Sequence, residues 1–336
     1  MTDTTTQFKA LVVEKTADKQ FVREVRQRSI DDLPAGDLVV RVHYSSLNYK
    51  DALSATGHPG VTRQFPHTPG IDAAGEVVAC DSGAFAPGDR VIVTGYDLGM
   101  ETDGGFGQYI RIPSAWAVPL PEGLSLRESM ALGTAGLTAA LSVLGLERAG
   151  VTPDRGEILV TGATGGVGSI AVAILAAAGY RVTASTGKEF EEEYLRELGA
   201  TEVIGREELA AGAEKALLAE RWAGAVDVVG GPTLAAVLKS VKYGGVVTCC
   251  GLVGSPDLPV NVYPFILRGV SLLGIDSVQA SPGIRREIWQ RLAGAWKPAG
   301  LAGMVTECSL QGLEVMIQAI LHGGVTGRVV VNLLES

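Results

Sequence analysis

The stretch that decides the fold is Ile158-Leu159-Val160-Thr161-Gly162-Ala163-Thr164-Gly165-Gly166-Val167-Gly168-Ser169. Its apolar start is typical of a buried strand, and an apolar segment predicted to be helical over 167–178 follows the glycines. A dinucleotide-binding loop needs this order, because glycines allow a tight turn and close backbone approach to a pyrophosphate at a helix N-terminus. The spacing G-x-x-G-x-x-G differs from G-x-G-x-x-G, so the flanking strand and helix carry the prediction. A tightly packed structural turn is the alternative.

The segments around this loop alternate between strand and helix patterns. The predicted strands are 157–161, 181–184, 202–204, 225–229, 246–250 and 271–275, and the predicted helices are 167–178, 189–198, 207–220 and 232–240. Strands that alternate with helices of about ten residues imply right-handed βαβ crossovers. The fold class is therefore α/β, with a doubly wound parallel sheet in this part of the chain.

Residues 8–125 read as a compact, mostly β domain. Short strands are predicted at 8–14, 37–44, 72–79 and 90–94, with one short helix that begins near Asn48. Ser125-x-x-Glu128 resembles a capping box and predicts a helix through Leu146. The tail carries helices near 283–296 and 310–321 and a strand at 328–333, and part of it is expected to rejoin the first domain.

Composition excludes several classes of protein. Of 336 residues, 46% are hydrophobic and 19% are charged, which rules out intrinsic disorder. Lys+Arg 28 against Asp+Glu 37 gives a net charge of −9, so neither nucleic acid nor an anionic membrane is expected as the main partner. The four cysteines are scattered, the N-terminus is polar, and the uncharged stretches 129–146 and 158–180 do not read as membrane spans. We predict a cytoplasmic protein, and the four histidines lack ligand spacing, so no metal site is predicted.

The second predicted strand indicates which dinucleotide is bound. It ends in Ala184-Ser185-Thr186-Gly187-Lys188, without the acidic residue that holds the ribose 2′-hydroxyl of NAD. Hydroxyls, an N–H group and an ammonium suit a 2′-phosphate, so NADPH is the predicted cofactor. Glu189 weighs against this unless it opens the next helix, and Arg206 either flanks the 2′-phosphate or is solvated. The predicted cofactor-binding residues are Tyr49, Thr164, Gly165, Gly166, Val167, Thr186, Gly187, Lys188, Arg206, Leu252, Ser277 and Arg328.

Several sequence blocks occur in the order found in one known family. They are Ser45–Leu53, Phe65-Pro66-x-x-Pro69-Gly70-Ile71-Asp72, Gly133–Gly136, Thr161–Ser169, Trp222–Ala225, Pro264–Arg268 and Gly274–Val278. Over essentially its whole length the chain resembles the zinc-independent branch of the medium-chain dehydrogenase/reductase superfamily, and within it the YhdH/AcuI type of acrylyl-CoA reductases and quinone oxidoreductases. The resemblance implies a GroES-like, mostly β catalytic domain over 1–126 and 298–336, and a Rossmann NADPH-binding domain over 127–297.

The same resemblance has implications for zinc binding and for the oligomeric state. Zinc-dependent relatives carry a cysteine in the segment that matches 47–51 and a His-Glu pair that matches Ile71-Asp72. This chain has neither, so the resemblance implies no zinc. It also implies a homodimer, for which the predicted strand at 271–275 could supply a sheet edge.

The segment Asn48–Asp51 supplies the predicted catalytic residues Asn48, Tyr49 and Asp51. Asn48 could hold the nicotinamide ribose or the substrate carbonyl, and Tyr49 could donate a proton or stack on the cofactor. The alternative is that Asn48 and Asp51 form a capping box of structural use. Arg63, Arg111 and Arg268 are candidates to meet the phosphates of coenzyme A.

The resulting hypothesis is an NADPH-dependent oxidoreductase that reduces the activated double bond of an α,β-unsaturated acyl-CoA, with acryloyl-CoA to propanoyl-CoA as the favoured reaction. NADPH:quinone reduction and non-catalytic NADPH binding are the alternatives. The cofactor carries the hydride chemistry, so the protein needs mainly to orient and stabilise the reactants.

Overall fold

The computed structural model describes residues 6–334, and these residues form fifteen strands. In chain order they are β1 (Gln7–Lys15), β2 (Phe21–Ser29), β3 (Leu38–Leu47), β4 (Asp72–Cys80), β5 (Arg90–Thr94), β6 (Tyr109–Ile112), β7 (Ala117–Pro119), β8 (Ile158–Val160), β9 (Val182–Thr186), β10 (Glu202–Gly205), β11 (Trp222–Asp227), β12 (Val241–Cys249), β13 (Ser271–Gly274), β14 (Val305–Ser309) and β15 (Arg328–Asn332).

The same described residues form nine α-helices. They are α1 (Tyr49–Ala55), α2 (Leu126–Arg148), α3 (Gly166–Ala177), α4 (Glu192–Glu197), α5 (Arg206–Ala210), α6 (Gly231–Ser240), α7 (Tyr263–Arg268), α8 (Pro282–Ala293) and α9 (Leu313–Leu321).

The chain divides into two units. The first contains the described residues through Thr134, Val278–Trp289, and those from Ala302 onward. The second contains Ala135–Ser277 and Gln290–Leu301. Each unit has its own sheet and its own apolar core.

Six parallel strands form the sheet of the second unit, in the order β10-β9-β8-β11-β12-β13. Every residue of the two central strands, β8 and β11, is buried. The strand order reverses between β8 and β11, so their carboxyl ends border the crevice where open α/β sheets bind ligands. The predicted doubly wound parallel sheet is confirmed.

The first unit carries a mostly antiparallel sheet in the order β14-β15-β3-β4-β5-β7, with β6 paired to β3, and a separate β1-β2 hairpin. Strand β15 pairs antiparallel with β3, so a strand near the end of the chain completes a sheet begun near its start. The predicted strands 72–79 and 90–94 correspond to β4 and β5, which form an antiparallel pair. This sheet is the GroES-like part of the predicted fold class.

Helix α2 begins as predicted, with Ser125 and Glu128 exchanging both hydrogen bonds of a capping box. It is interrupted at Gly133, whose φ of 54° and ψ of −154° are not helical. Among the described residues it is the one helix whose length and mean hydropathy of 1.6 would suit a membrane span. However, 83% of the 18-residue stretch that has this hydropathy is buried inside the protein, which is typical of a core helix.

The predicted helix over 207–220 is wrong beyond Ala210. Ala211 turns to extended backbone with ψ 121°, and Gly212 follows with φ +71°. The next residues form turns closed by main-chain hydrogen bonds, from the Ala213 N–H to Ala210 and from the Lys215 N–H to Gly212. The Lys239 ammonium of α6 also donates to the Ala213 carbonyl at 2.6 Å, a tertiary contact that the local sequence does not show.

Candidate active site

A glycine loop, residues 161–165, joins β8 to α3 in the second unit. Gly162 adopts φ +57°, and Gly165 caps α3 without a side chain. The first N–H groups of the helix, from Gly166 and Val167, therefore lack intrahelical acceptors. Gly168 lies so close to the Gly162 carbonyl that a Cβ atom would not fit. An open helix N-terminus of this kind is suited to bind a pyrophosphate group.

The end of β9 lies beside this loop. Thr164 and Thr186 share a hydrogen bond of 3.1 Å between their hydroxyls, and the Lys188 N–H donates to the Thr186 hydroxyl at 3.0 Å. The Arg206 guanidinium packs on Gly187, where any Cβ atom would collide with it. Burial lowers the pKa of the Lys188 ammonium. The Arg206 guanidinium, the Thr186 hydroxyl and the exposed backbone of Gly187 thus lie together beside the loop, with Lys188 next in the chain.

Glu189 stands at the start of a short 3₁₀ helix, Glu189–Glu191, whose N-cap is Lys188. A carboxylate is electrostatically favoured at a helix start. The Glu189 carboxylate also lies near the end of β10, since its Oε1 would be 3.8 Å from a Cβ atom at Gly205, the residue before Arg206.

The carboxyl ends of β8 and β11 are joined through Asp227. Its carboxylate accepts hydrogen bonds from the Thr161 hydroxyl at 2.7 Å and from the Gly230 N–H at 2.7 Å, while the Thr161 hydroxyl accepts from the Val228 N–H at 3.1 Å. Asp227 is fully buried, and this burial raises the pKa of its carboxyl group. The sequence analysis missed this pair. The available signal was a polar residue at the end of each of two apolar strands.

A cavity of about 540 Å³ opens at the carboxyl ends of β11, β12 and β13. Leu252 lies on its lining and is 64% exposed. Ser277, just after β13, is buried and accepts a hydrogen bond from the Thr138 hydroxyl at 2.8 Å. Leu252 thus lies at an open apolar surface, whereas the Ser277 hydroxyl has a protein partner.

The first unit contains a buried polar cluster centred on Asp72. Its carboxylate accepts hydrogen bonds from the Ser46 hydroxyl (2.6 Å), the Asn48 amide (2.8 Å), and both the N–H and the hydroxyl of Thr134 (2.9 and 2.6 Å). The Arg328 guanidinium donates to Asn48 Oδ1 at 3.2 Å and to Ser46 Oγ at 2.9 Å. Both ends of the Asn48 amide are therefore engaged within this cluster.

Asp51 extends the cluster into the first turn of α1. Its carboxylate accepts hydrogen bonds from the Asn48 N–H and the Ile71 N–H, each at 2.8 Å. Complete burial and the nearby charge of Asp72 raise the pKa of the Asp51 carboxyl to about 7. Asp51 holds the start of α1 in the way the capping-box alternative describes.

Tyr49 differs from its neighbours because it is exposed. Its side chain is 42% accessible, while Asn48 and Asp51 on either side are turned into the cluster. A phenol placed in this way can meet a ligand without first breaking a protein hydrogen bond.

The predicted site residues fall into groups. The second unit brings together Thr164, Gly165, Gly166, Val167, Thr186, Gly187, Lys188 and Arg206, and places Leu252 and Ser277 at the β12 and β13 end of the same sheet edge. The first unit brings together Asn48, Asp51 and Arg328, with Tyr49 adjoining them. Arg328 lies in the Asp72 cluster and is 3% exposed. Within residues 6–334, no group of three or more His, Cys, Asp or Glu side chains is placed to hold a metal ion.

Two family models match separate segments of the chain. Residues 34–122 match the family model for the alcohol dehydrogenase GroES-like domain, and residues 166–294 match the model for zinc-binding dehydrogenases. "Putative quinone oxidoreductase YhfP" of Bacillus subtilis is 49% identical over 98% of this chain and 99% of its own length. Its crystal structure with NAD bound has a TM-score of 0.95, covering 98% of this chain and all of that one.

Two further relatives are similarly close. Acrylyl-CoA reductase AcuI of Ruegeria pomeroyi is 46% identical over 97% of this chain and 99% of its own length. The yhdH oxidoreductase of Salmonella enterica, crystallised with NADP, is 44% identical with a TM-score of 0.94, covering 96% of this chain and 99% of that one. Such similarity over nearly the full length of both proteins establishes the family, and the chain belongs to the YhdH/AcuI-type oxidoreductases of the medium-chain dehydrogenase/reductase superfamily.

Proposed function

We propose that this protein reduces the carbon–carbon double bond of an α,β-unsaturated acyl-CoA with NADPH, and that acryloyl-CoA is its substrate and propanoyl-CoA its product. The observation that carries the proposal is the end of β9, where the Arg206 guanidinium packs on Gly187 and Lys188 follows in the chain. Two cationic residues at a strand end that lacks an acidic residue favour a dinucleotide with a 2′-phosphate.

The residues present fit NADPH along the sheet edge. The N–H groups of Gly166 and Val167 and the turn at Thr164-Gly165 would hold the pyrophosphate, and the residues at the end of β9 would hold the 2′-phosphate. Arg206 can lie flat on residue 187 because a glycine is present there. When bound, NADPH supplies the hydride that is added to the β-carbon of the substrate.

The first unit would supply the proton and its placement. Asn48 and Asp51 have their hydrogen bonds directed into the buried cluster, so we assign them the positioning of α1. Tyr49 begins that helix with an exposed phenol, and we assign to it the proton that reaches the α-carbon after hydride addition. Arg328 and Asp72 would keep Asn48 in its one orientation.

The choice of an acyl-CoA is supported by AcuI, which is named as an acrylyl-CoA reductase. The thioester activates the double bond, so hydride addition requires no metal. Of the arginines considered for coenzyme A, Arg268 donates to the Lys239 and Leu218 carbonyls at 2.7 and 2.6 Å and is committed to the second unit. Arg63 and Arg111 make longer main-chain contacts, to the Pro59 and Leu33 carbonyls at 3.5 and 3.4 Å, and remain the candidates for the coenzyme A phosphates.

Quinone reduction is the second candidate, because YhfP carries that name at 49% identity. The two candidates are separated by following NADPH oxidation with acryloyl-CoA, crotonyl-CoA and 1,4-benzoquinone, with NADH in parallel. The proposal predicts the highest kcat/KM with acryloyl-CoA and NADPH. Preference for the quinone over both thioesters would overturn it, and tight NADPH binding without turnover of any acceptor would indicate a binding protein.

Cofactor choice is tested by Lys188→Glu, which places a negative charge at the assigned 2′-phosphate. Loss of a charge-assisted hydrogen bond and the added repulsion should weaken NADPH at least about tenfold and leave NADH nearly unchanged. Lys215→Glu is the matched control, since it makes the same charge change at an exposed lysine of the second unit. Equal effects of Lys188→Glu on both cofactors would discredit the 2′-phosphate assignment.

We further propose a homodimer that forms along β13, the edge strand of the six-stranded sheet. An unpaired edge can extend across a two-fold axis, and the preceding helix α7 exposes Ile266 and Leu267 at 69% and 58%. We also propose a cytoplasmic location without a nucleic acid or membrane partner. The net charge of −9 and four unpaired cysteines support it.

A further inference from the structure

We infer that Asp227, acting through Thr161, is a positioning residue of the dinucleotide site, and that it holds the glycine loop in the conformation that receives the pyrophosphate. The inference rests on the proposed use of a dinucleotide and adds the residues that shape its central subsite. Neither residue is one that the cofactor would need to touch.

Thr161 occupies the junction between β8 and the loop. Its hydroxyl donates to Asp227 at 2.7 Å and accepts from the Val228 N–H at 3.1 Å. The carboxylate can only accept, so the hydroxyl proton must point toward it and the lone pairs must face Val228. The Thr161 hydroxyl is thereby engaged both as a donor and as an acceptor, and the side chain of this first loop residue has one orientation.

The second carboxylate oxygen of Asp227 holds the opposite wall of the crevice. It accepts the Gly230 N–H at 2.7 Å, where Gly230 and Gly231 turn with φ +75° and +58° into α6. The main-chain oxygen of Asp227 accepts the Cys250 N–H at 3.0 Å, which starts the loop that carries Leu252. One residue therefore ties the glycine loop to the turns after β11 and β12.

The glycine loop also packs directly on the turn that follows β11. At Gly162, the next residue of the loop, a Cβ atom would lie 2.6 Å from a methyl group of Val228. The loop therefore rests on the 228–231 turn, and the Thr161–Asp227 hydrogen bond holds this contact together with main-chain bonds from the Thr161 N–H to Val226 and from the Ala163 N–H to Ser185. Loss of the side-chain bond should loosen the contact without removing any group that contacts the ligand.

Thr161→Val tests the inference, because valine keeps the shape of threonine and removes its hydroxyl. A hydrogen bond to a charged group is lost, so we expect dissociation constants for NADPH and NADH to rise by the same factor, about tenfold. Direct binding to the protein without substrate, by quenching of its fluorescence or by calorimetry, gives both constants. An equal increase in both dissociation constants would indicate an effect at the pyrophosphate, which both cofactors contain. Lys188→Glu, at the assigned 2′-phosphate, should weaken the binding of NADPH alone.

Two further variants keep the test decisive. Thr161→Ser restores the hydroxyl and should return both dissociation constants to within about twofold of the wild type. Asp227→Asn offers one acceptor oxygen to two donors and should weaken both cofactors as Thr161→Val does. Thr248→Val is the matched control, since it removes a buried hydroxyl from β12 that donates to the Ala225 carbonyl at 3.3 Å.

The possible results are distinct. Wild-type affinity for both cofactors in Thr161→Val, or equal loss in Thr161→Ser and Thr161→Val, would overturn the inference. Equal weakening by Thr248→Val would show a general effect of a lost buried hydroxyl and would also overturn it. Failure of the wild-type protein to bind either dinucleotide would instead overturn the proposed function.

Discussion

Buried carboxylates set the local geometry at each candidate site in this protein. Asp72 and Asp51 hold the start of α1 in the first unit, and Asp227 joins two strand ends in the second. Each accepts hydrogen bonds from N–H or O–H groups of the segment that it holds. A buried carboxylate with such donors is costly to disturb, because its removal leaves those donors unsatisfied.

The raised pKa of Asp51 predicts that stability depends on pH. In the unfolded chain this carboxyl titrates near 3.8, whereas in the folded protein it titrates near 7. Its contribution to stability is therefore fully present below about pH 4 and is lost as the pH rises through 7. The free energy of unfolding of the wild type should fall relative to that of Asp51→Asn by at most about 1.4 kcal/mol per pH unit over this range.

Urea unfolding of both proteins between pH 5 and pH 8 measures this difference. Any destabilisation caused by the amide in Asp51→Asn is the same at every pH. It therefore does not change how the difference in unfolding free energy varies with pH. A difference in unfolding free energy that stays constant across the range would contradict the raised pKa.

Tyr49→Phe tests the proton donor. The ring remains and the hydroxyl is lost, so we expect kcat for acryloyl-CoA to fall about 100-fold while NADPH affinity is kept. Tyr243→Phe, which changes a tyrosine that is 73% exposed in the second unit, is the control. Unchanged kcat in Tyr49→Phe would leave water as the proton source.

The sequence could name candidate residues in the glycine loop and at the end of β9 because they lie within short, contiguous motifs. It did not predict the Thr161–Asp227 pair, whose members are 66 residues apart and meet only through the pairing of β8 with β11. It also left open whether Asn48 faces a ligand. That question depends on Asp72 and Arg328, which are distant in sequence.

At the scale of secondary-structure elements, the break in α2 links the helix to the Asp72 cluster. The non-helical backbone at Gly133 turns the Thr134 N–H toward Asp72. A Cβ atom at Gly133 would lie 2.6 Å from the side-chain oxygens of Asp72 and Ser46 and 2.9 Å from Arg328. The glycine is therefore required both by its positive φ and by the space it leaves.

Gly133→Ala should consequently destabilise the first unit by about 2–3 kcal/mol, through backbone strain and displacement of the cluster. Gly150→Ala is the matched control, because Gly150 has φ +81° and open space where its Cβ would lie. Strain alone should cost that variant about 1 kcal/mol. Calorimetric melting compares them, and equal shifts of Tm would contradict the steric role assigned to Gly133.

Elements with strong local patterns were predicted, and those formed by tertiary pairing were not. Strand β8, helix α3 and the α2 capping box follow directly from apolar runs, glycines and Ser125-x-x-Glu128. Strand β2, Phe21–Ser29, carries three arginines and a glutamate and takes its structure from pairing with β1. Helix α5 ends where Ala211 and Gly212 leave the helical backbone, and the Lys239 side chain then binds the Ala213 carbonyl.

At the scale of the whole molecule, the proposed homodimer places β13 and α7 at an interface between copies of the chain. Ile266→Glu with Leu267→Lys introduces opposite charges that leave the net charge unchanged and should disfavour burial of this surface. Light scattering after gel filtration should change from twice the 34.9 kDa chain mass to the chain mass. Val315→Glu, at a residue 70% exposed in the first unit, should leave the dimer intact. A wild-type protein that elutes as a monomer would contradict the proposal.

The most direct test of NADPH-dependent acyl-CoA reduction is to follow the hydride itself. Acryloyl-CoA is incubated with the protein and NADPH that carries deuterium on the transferred position of the nicotinamide C4, and the product is analysed by mass spectrometry and NMR. We predict propanoyl-CoA with one deuterium at the β-carbon and solvent hydrogen at the α-carbon. Absence of propanoyl-CoA, or propanoyl-CoA without deuterium at the β-carbon, would contradict the assignment.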